Sequence, residues 1–275
     1  MSRRMGLLGG GKVAVSPILN ENEWDVISAV STAGDGENYW SVGDRKEIIL
    51  DGTVGHLTLS NFTTCAFIIG FNHNSSVEGS GRIHFQLAKT ALSGGKDVAL
   101  CDSSYGSSVS ATGYFSMNSS EISTGGWESS QMRTNICGTS LTNYSGTIIA
   151  VIPEALRAVL KSVTKYTNNT GNTSSLTAVT ETTDYFFLLS EYEVFGSCEY
   201  ANDNEASYQA QYAYYSAGNS KIKYKHSATI TAVTWWLRSP RVAFSTSFVY
   251  VVTGGTVGGK GVSCSSRGFA PGFCV

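Results

Sequence analysis

The sequence is poor in charged residues. Asp, Glu, Lys and Arg make up 15% of the 275 residues, whereas about a quarter is usual for soluble domains. The net charge is −2, and the basic residues form no cluster along the chain. Nucleic-acid binding depends on clustered Lys and Arg side chains that contact phosphates, so a nucleic acid is not expected as a partner.

Long apolar segments are also lacking. No stretch approaches the roughly 20 apolar residues that a helix needs to cross a bilayer, so membrane insertion is not expected. The start, MSRRMGLLGGGKVAV, carries a basic pair, but glycines interrupt its apolar part, and it does not resemble a signal peptide. We interpret residues 1–17, which close at Pro17, as a flexible lead-in that docks to another protein.

Catalytic and metal-binding motifs are missing. The four His residues show no ligand spacing, the six Cys residues form no CxxC pair, and no GxSxG sequence is present. The segment GLLGGGKV resembles a phosphate-binding loop, but Val13 stands where a hydroxyl must bind Mg²⁺. We therefore expect no enzyme activity, no metal and no cofactor, although a Cys and a His that meet only in the fold stay an open alternative. The cysteines are expected to be buried thiols, with a Cys264–Cys274 disulfide as the alternative.

The residues that are present favour an α+β fold of many short strands. Thirty Gly and only four Pro indicate frequent turns. A hairpin is predicted from EIIL onward, with its turn at Asp51–Gly52. Further strands are predicted in CAFIIGFNH, GRIHFQLAK, DYFFLLS, ATITAVTWWLRSP and SFVYVV.

Three helices are predicted. The first covers NENEWDVISAVSTAG and ends at Gly34. The second covers PEALRAVLKSVTKYT, with Pro153 in its first turn and an apolar stripe behind it. The third lies in SEYEVFG, where Ser190 and Glu193 have the spacing of a capping box and Gly196 is the stop.

Two arginines lie near Trp in apolar settings, Arg133 in GWESSQMR and Arg238 in WWLRSP. A guanidinium in such a setting usually makes planar hydrogen bonds or stacks on an aromatic ring. We predict that both are structural anchors, with ligand contact as the alternative.

Four motifs carry a family resemblance: GWESSQMR, FFLLSEYEVFG, TWWLRSP and the closing GFAPGFCV. In this order they resemble the C-type-lectin-like domain of the formylglycine-generating-enzyme subclass. The version they resemble occurs in phage and bacterial proteins that diversity-generating retroelements diversify. The resemblance runs from about Trp24 to Val275. It implies one C-type-lectin-like domain over residues 18–275, with short, mostly antiparallel strands and two or three helices.

The resemblance also implies a variable C-terminal segment, residues 241–267. In that family a reverse transcriptase copies a template with errors at adenines, and the residues it introduces lack Lys, Glu, Gln, Met and Trp. These five types number 36 in the chain, yet Lys260 is the one instance within 241–267. All fifteen asparagines lie at or before Asn219, which agrees with adenine-rich codons having been replaced.

The pattern of SFVYVV predicts that Phe248 faces the core while Ser247, Tyr250 and Val252 face outward, and Gly254–Gly255 marks a turn. The predicted ligand-binding positions are those of the variable segment that are expected to face outward. They are Arg241, Val242, Ala243, Phe244, Ser247, Tyr250, Val252, Thr256, Gly258, Gly259, Gly261, Val262, Cys264 and Ser265. After them, Phe269, Phe273 and Cys274 are predicted to form a final strand in the core.

The function implied by the resemblance is ligand binding through a hypervariable surface. The protein would be displayed on a phage virion, such as its tail, or on a bacterial surface. Its ligand would be a protein or other molecule of the host cell surface, and its N-terminus would contact other virion proteins. The alternatives are a virion structural domain without variation and an oxidase of the formylglycine-generating type. That oxidase binds copper with a close pair of cysteines, and Cys264 and Cys274 do not match such a pair.

Overall fold

The computed structural model describes residues 6–7, 14–169 and 176–275. The predicted lead-in, residues 1–17, lies for the most part outside the described residues. The strands are β1 (Gly6–Leu7), β2 (Ala14–Val15), β3 (Arg45–Val54), β4 (Leu57–Phe71), β5 (Ile83–Lys89), β6 (Val98–Ala99), β7 (Val163–Asn168), β8 (Val179–Asp184), β9 (Phe186–Phe187), β10 (Lys223–Lys225), β11 (Ala228–Val233), β12 (Trp235–Pro240), β13 (Ser247–Val251), β14 (Val257–Val262) and β15 (Gly272–Cys274).

The helices are short. The α-helices are α1 (Trp24–Thr32), α2 (Gly36–Tyr39), α3 (Ser75–Glu78), α4 (Ile148–Val151), α5 (Glu154–Arg157), α6 (Glu191–Phe195) and α7 (Ala213–Ser216). Turns of 3₁₀ helix cover Leu19–Glu21, Leu176–Ala178 and Asp203–Tyr208, and a π-helix covers Met132–Cys137. Strands of several small sheets with few helices confirm the α+β class. Among the described residues, no helix has the length and apolar character needed to cross a membrane.

The largest sheet has five strands in the order β3-β4-β5-β15-β9, all paired antiparallel. Smaller sheets have the orders β11-β10-β6, β12-β13-β14 and β7-β8. The pairing of β10 with β6 is parallel. The chain therefore returns at its end to the middle of a sheet that its first third began.

The last residues form the centre of the core, as the sequence predicts. In β15, Phe273 lies opposite Phe85 of β5 and Phe186 of β9 and is fully buried. Its ring centroid is 5.3 Å from that of Phe85 and 5.1 Å from that of Phe186, and Trp24 of α1 packs at 6.2 Å. Phe269 is buried as well, but it lies before β15 instead of in the predicted final strand, and it forms an isolated β-bridge with Leu100. The end of the chain thus joins three elements that are distant in sequence.

The predicted hairpin turn at Asp51–Gly52 is wrong. Both residues lie inside β3, and the turn to β4 falls at Gly55–His56 instead. Gly52 has φ of +117°, and the register between β3 and β4 shifts there. An Asp-Gly pair inside a strand has produced a β-bulge, which requires the same positive φ that a hairpin turn would.

The predicted helix over PEALRAVLKSVTKYT is also wrong in most of its length. One helical turn, α5, ends at Arg157, and the segment continues as β7. β7 pairs with β8 along six residues and buries Lys165 and Thr167. The β-branched residues of SVTKYT favour a strand, and the pairing partner decides the outcome against the apolar helical spacing. The helices α1 and α6 are confirmed at their predicted places.

The predicted single strand ATITAVTWWLRSP is divided in two. β11 belongs to the sheet with β10, and β12 belongs to the sheet with β13. The break falls at Thr234, whose amide donates to the Tyr105 hydroxyl at 2.8 Å instead of to a strand partner. This break directs Trp235, Trp236 and Arg238 into the core, where all three are fully buried.

Candidate functional site

Most of the predicted ligand-binding positions lie in or beside the sheet β12-β13-β14. β13 is its central strand and pairs antiparallel with both neighbours. Phe248, Val249 and Val251 are fully buried, and Tyr250 is half-buried. The prediction that Phe248 faces the core is confirmed, but β13 contributes core side chains on both faces.

This sheet divides the predicted positions into two groups. Residues 241–246 join β12 to β13 at one end, and residues 252–256 form the turn to β14 at the other. The predicted turn at Gly254–Gly255 is confirmed, with Gly255 at φ +85°. A five-residue strand separates the two ends by on the order of 15 Å. Arg241 to Phe244 therefore lie at the opposite end of β13 from Val252 and Thr256.

Backbone hydrogen bonds hold the loop 241–246 in place. The amide of Arg241 donates to the Ser247 carbonyl at 2.9 Å, and the amide of Val242 donates to the Tyr200 carbonyl at 2.8 Å. Ala243 has a left-handed backbone with φ of +63°, which turns the chain sharply. The loop is therefore fixed to its neighbours although its tip is exposed.

A segment from the middle of the chain supports the tip of this loop. The Ser123 hydroxyl donates to the Phe244 carbonyl at 3.1 Å, and the Ser123 amide donates to the Ser245 carbonyl at 2.6 Å. Ser123 itself is fully buried, whereas the preceding residue, Ile122, is 49% exposed. Phe244 is 44% exposed. These contacts bring two exposed apolar side chains into the same region.

A buried carboxylate positions Tyr200 beside the loop. Glu191 of α6 accepts hydrogen bonds from the amides of Glu199 at 2.6 Å, Tyr200 at 3.1 Å and Ala201 at 2.5 Å. Ala201 also forms an isolated β-bridge with Arg241. Three amides on one carboxylate fix the backbone that carries the Tyr200 ring.

The Arg241 side chain lies flat on this region. Its guanidinium carbon is 3.5 Å from the ring centroid of Phe244 and 5.7 Å from that of Tyr200. Within the described residues the guanidinium forms no hydrogen bond and no ion pair, so its N–H groups are free to bind a partner. We call this region the Arg241 surface, which consists of Ile122, Tyr200, Arg241, Val242, Ala243 and Phe244.

A second arginine stack involves Tyr250 on another face. The Arg267 guanidinium carbon is 3.9 Å from the Tyr250 ring centroid and 4.9 Å from that of Trp236. A Cβ on Gly258 would point at Tyr250, whereas a Cβ on the next residue, Gly259, would point at Tyr200. Consecutive strand residues face opposite sides, so the Arg267 stack and the Arg241 surface lie on opposite faces of β14.

The fourteen predicted positions differ in exposure. Ala243, Phe244 and Thr256 are exposed. Those that are half-buried are Arg241, Val242, Tyr250, Val252, Val262 and Ser265. The expectation that all fourteen face outward is wrong for five, because Ser247, Gly258, Gly259, Gly261 and Cys264 are buried.

The three glycines of β14 are buried because aromatic rings pack directly on them. A Cβ at Gly259 would stand 2.2 Å from the Tyr200 ring, and one at Gly258 would stand 2.6 Å from Tyr250. At Gly261 it would stand 2.5 Å from Trp236 and 2.7 Å from a backbone oxygen. Contacts this short require the neighbours to move, so these positions serve the packing of the rings.

Cys264 is 6% exposed and lines an open surface pocket of about 360 Å³. The other lining residues are Ser108, Val109, Ser110, Ser119, Ser120 and Glu121. All six cysteines are free thiols, and five of them are buried, so the predicted buried thiols are confirmed and the Cys264–Cys274 disulfide is not formed.

Sequence reasoning missed Tyr200, Ile122 and Arg267 as neighbours of the predicted positions. Tyr200 and Ile122 come from segments that carry no binding motif, and only the tertiary fold places them beside Phe244. Arg267 lies inside the predicted variable segment. An Arg that follows strands rich in aromatic residues often stacks on one of their rings, and this pattern could have identified it.

A second notable cluster is buried beneath the sheets. The Lys165 ammonium donates to Glu78 at 2.8 Å, to Glu193 at 2.9 Å and to the Tyr212 hydroxyl at 3.0 Å. Glu193 also accepts two hydrogen bonds from the guanidinium of Arg238. Burial alone would raise the pKa of Glu193, but the charges of Arg238 and Lys165 outweigh it and hold the pKa below its usual range.

The predicted anchor role of Arg238 is confirmed, since it is fully buried and bonded to Glu193, the Leu188 carbonyl and the Thr167 hydroxyl. Arg133 is an anchor too. Its Nε donates to Asp184 at 2.6 Å, and Asp184 is fully buried. Both arginines thus hold strands of the core.

The same cluster contains a group of potential metal ligands. Ligand atoms of His73, Glu78 and Glu193 all lie within 4.8 Å of one another. The Lys165 ammonium already lies within 2.9 Å of both carboxylates, and Arg238 adds a second positive charge. A divalent cation here would meet two buried positive charges, so the residues present do not favour metal binding.

Cys274 and His84 contact each other in the fold. A Cys–His contact of this kind is the alternative that the sequence left open. The Sγ of Cys274 is 3.3 Å from Nδ1 of His84, and both residues are fully buried. Burial raises the pKa of the Cys274 thiol and lowers that of His84. Cysteine nucleophiles require the opposite shifts, a lowered thiol pKa beside a protonated His, so this contact is structural.

The cluster should make stability depend on pH through Glu78. Burial raises the pKa of Glu78 to about 7, above the value of the unfolded chain. A raised pKa contributes stability that is present below about pH 4.5 and lost as the pH rises through 7. We expect the melting temperature of the unchanged protein, relative to that of Glu78→Gln, to be higher at pH 5 than at pH 8.5.

The comparison with Glu78→Gln is needed because His73 acts in the opposite direction. Burial, followed by the charge of Lys165, lowers the pKa of His73 to about 3, so its contribution is lost as the pH falls below 6.5. His73 is present in both proteins, so the part of its effect that does not depend on Glu78, 3.6 Å away, cancels in the difference. Melting temperatures measured at both pH values would contradict the account if the difference were constant or larger at pH 8.5.

A family comparison covers the part of the chain that contains these features. Residues 108–275, more than half of the chain, match the family described as a domain of unknown function, DUF6273. The chain belongs to this family. The DUF6273 match includes the Arg241 surface and β15, whereas β3, β4 and β5 precede it. Because β15 pairs with β5, the folded unit extends upstream of the match. Neither a curated protein nor a solved structure matches the chain.

Proposed function

We propose that the protein is a ligand-binding protein with a C-type-lectin-like fold of the formylglycine-generating-enzyme subclass. Its C-terminal surface is hypervariable and serves host recognition on a phage virion or a bacterial surface. The ligand is a protein or another molecule of the host cell surface, and the N-terminus contacts other virion proteins. The sequence motifs between Trp127 and Val275 are the basis for the fold and for the retroelement origin of the variation.

One observation supports the binding role most. The Arg241 surface presents an exposed Phe, a stacked Arg and a Tyr on backbone that is fixed from three directions. Arg and aromatic side chains are the residues that contribute most at protein interfaces. A fixed backbone lowers the entropy that is lost on binding, so this arrangement suits recognition without a chemical step.

The separation of this surface from the core supports variation at the same positions. Ala243 and Phe244 are exposed at the tip of a loop whose hydrogen bonds come from the backbone. A change of side chain there leaves those bonds intact. The core strand β15 begins at Gly272, after β13 and β14, and is fully buried. Substitution in the loop can therefore alter the contact surface while the fold persists.

The proposal can be tested with the double variant Arg241→Ala, Phe244→Ala. We expect its apparent affinity for cells to fall at least about tenfold, equal to about 1.4 kcal/mol, because the stacked pair is removed from the contact. The labelled protein is titrated onto a panel of bacterial strains, including the strain that carries the gene, and binding is read by flow cytometry.

The matched control is Ile230→Ala on β11. Ile230 is 89% exposed and lies outside the Arg241 surface, so its loss removes an exposed apolar side chain without touching the proposed contact. The control should bind cells like the unchanged protein. Equal affinity of the double variant and the unchanged protein, or equal losses in both variants, would count against the proposed surface.

A further inference from the structure

We infer that the Arg241 surface binds a protein partner through an Asp or Glu side chain of that partner, and this inference rests on the proposed function. A guanidinium with free N–H groups, held flat on a Phe ring, is the arrangement that binds a carboxylate with two parallel hydrogen bonds.

The charge of Arg241 has no ion-pair partner among the described residues. Glu199, on the neighbouring loop, interacts with the Tyr200 hydroxyl. Glu121, next to Ile122, is exposed and lines the pocket at Cys264. In the part of the chain that the structure describes, neither carboxylate forms an ion pair with Arg241. The positive charge is therefore available to a partner.

Arg241 is also held in place before a partner binds. Its guanidinium stacks on Phe244 at 3.5 Å, and its backbone bonds to Ser247 and bridges Ala201. A flexible surface arginine loses side-chain entropy when it forms an ion pair, which is why most such pairs contribute little. Stacking has already restricted this side chain, so less entropy is lost on binding.

The surface favours a protein over a sugar because its exposed side chains are apolar and offer few hydrogen-bonding groups. Phe244 is 44% exposed and Ile122 is 49% exposed, and the Arg241 guanidinium covers one face of the Phe244 ring. An acidic residue flanked by apolar residues on a protein surface complements this pattern.

The test is a selection from a random peptide library displayed on phage, with the immobilised full chain as the target. The enriched peptides are sequenced for the unchanged protein, for Arg241→Glu and for Lys260→Glu. Lys260 is exposed on β14, so its variant makes the same change of charge outside the Arg241 surface. All three proteins must show the same melting temperature. We expect this because Lys260 is exposed and the half-buried Arg241 guanidinium forms no hydrogen bond within the described residues.

We expect peptides enriched on the unchanged protein to carry Asp or Glu next to aromatic or aliphatic residues, at least threefold above the library. Arg241→Glu should abolish this bias or replace it by Lys and Arg, whereas Lys260→Glu should retain it. An acidic bias that Lys260→Glu lowers as much as Arg241→Glu would overturn the inference, because it would reflect net charge alone.

Failure of the inference can be told from failure of the proposed function by a fourth target, Phe244→Ala. If the enriched peptides are neutral and Phe244→Ala no longer binds them, the Arg241 surface is still a binding surface, but the inference of a carboxylate partner is overturned. Peptide sets that are identical on all four targets would overturn both. If polyphosphate displaces the enriched peptides more effectively than poly-glutamate does, the surface prefers a phosphate polymer, and the inference is also overturned.

Discussion

Phe273→Ala should lower the free energy of unfolding by about 3–5 kcal/mol, enough to unfold a domain of ordinary stability. The side chain is fully buried at the junction of α1, β5 and β9, where it contacts Trp24, Phe85 and Phe186. Its removal leaves a cavity lined by rings that belong to three separate elements. These rings cannot all collapse into the space, so most of the lost packing stays lost.

The matched control for this variant is Phe244→Ala, the same change in the Arg241 surface. Phe244 is 44% exposed, and the hydrogen bond that it receives from Ser123 goes to its backbone carbonyl. Its substitution should shift the urea midpoint only slightly, as is usual for surface changes. Urea unfolding followed by tryptophan fluorescence compares the two. A larger loss of stability in Phe244→Ala than in Phe273→Ala would contradict the placement of the core.

Glu193→Gln should be comparably destabilising, by about 3–5 kcal/mol. The carboxylate is fully buried between the ammonium of Lys165 and the guanidinium of Arg238. The neutral amide would leave these two buried cations opposite one carboxylate, that of Glu78. Glu193 also accepts the Ser190 amide in the capping box, and an amide that rotates to donate would break that bond.

Glu181→Gln provides the control for charge removal. Glu181 is exposed on β8 and accepts a hydrogen bond from the Tyr166 hydroxyl at 2.6 Å. Exposed pairs of this kind contribute little, so the melting temperature should hardly change. Differential scanning calorimetry on both variants tests the contrast. If Glu193→Gln had the same melting temperature as the unchanged protein, the buried cluster would not stabilise the fold.

Local signals in the sequence were sufficient for some elements. The capping box of Ser190 and Glu193 is present with both of its hydrogen bonds, and Gly196 ends α6 with a left-handed backbone. These features depend on residues within one helical turn, so the sequence alone determines them. The buried final strand was predictable too, because exposed chain ends rarely contain two Phe residues near a Cys and a Val.

Contacts between distant segments were not predictable. The sequence explains Glu191 and Glu193 as acidic residues at the start of a helix, where the dipole favours them. In the fold, Glu193 bonds Arg238, 45 residues away, and Glu191 bonds the amides that carry Tyr200. No period or motif relates these positions. The same reason explains why Ile122 and Tyr200 were missed beside Phe244.

Strand alternation failed in β13 and β14 because both faces are covered. Ser247 is buried although it alternates with Phe248, which is also buried. In β14 the glycines admit Tyr200 on one face and Tyr250 on the other. Alternation indicates exposure only when one face meets solvent. The proposed variable surface is accordingly smaller than the sequence predicts and is centred on the loop 241–246.

We propose that variation is confined to an exposed surface that precedes the core strand β15. Sequencing the DNA downstream of the gene tests it directly, by comparing codons 241–275 with any near-copy that lies beside a reverse-transcriptase gene. The account predicts such a copy, with mismatches opposite its adenines at the codons of Arg241 to Phe244 and none at Gly272 to Cys274. Absence of a copy, or mismatches that fall on the codon of Phe273, would contradict it.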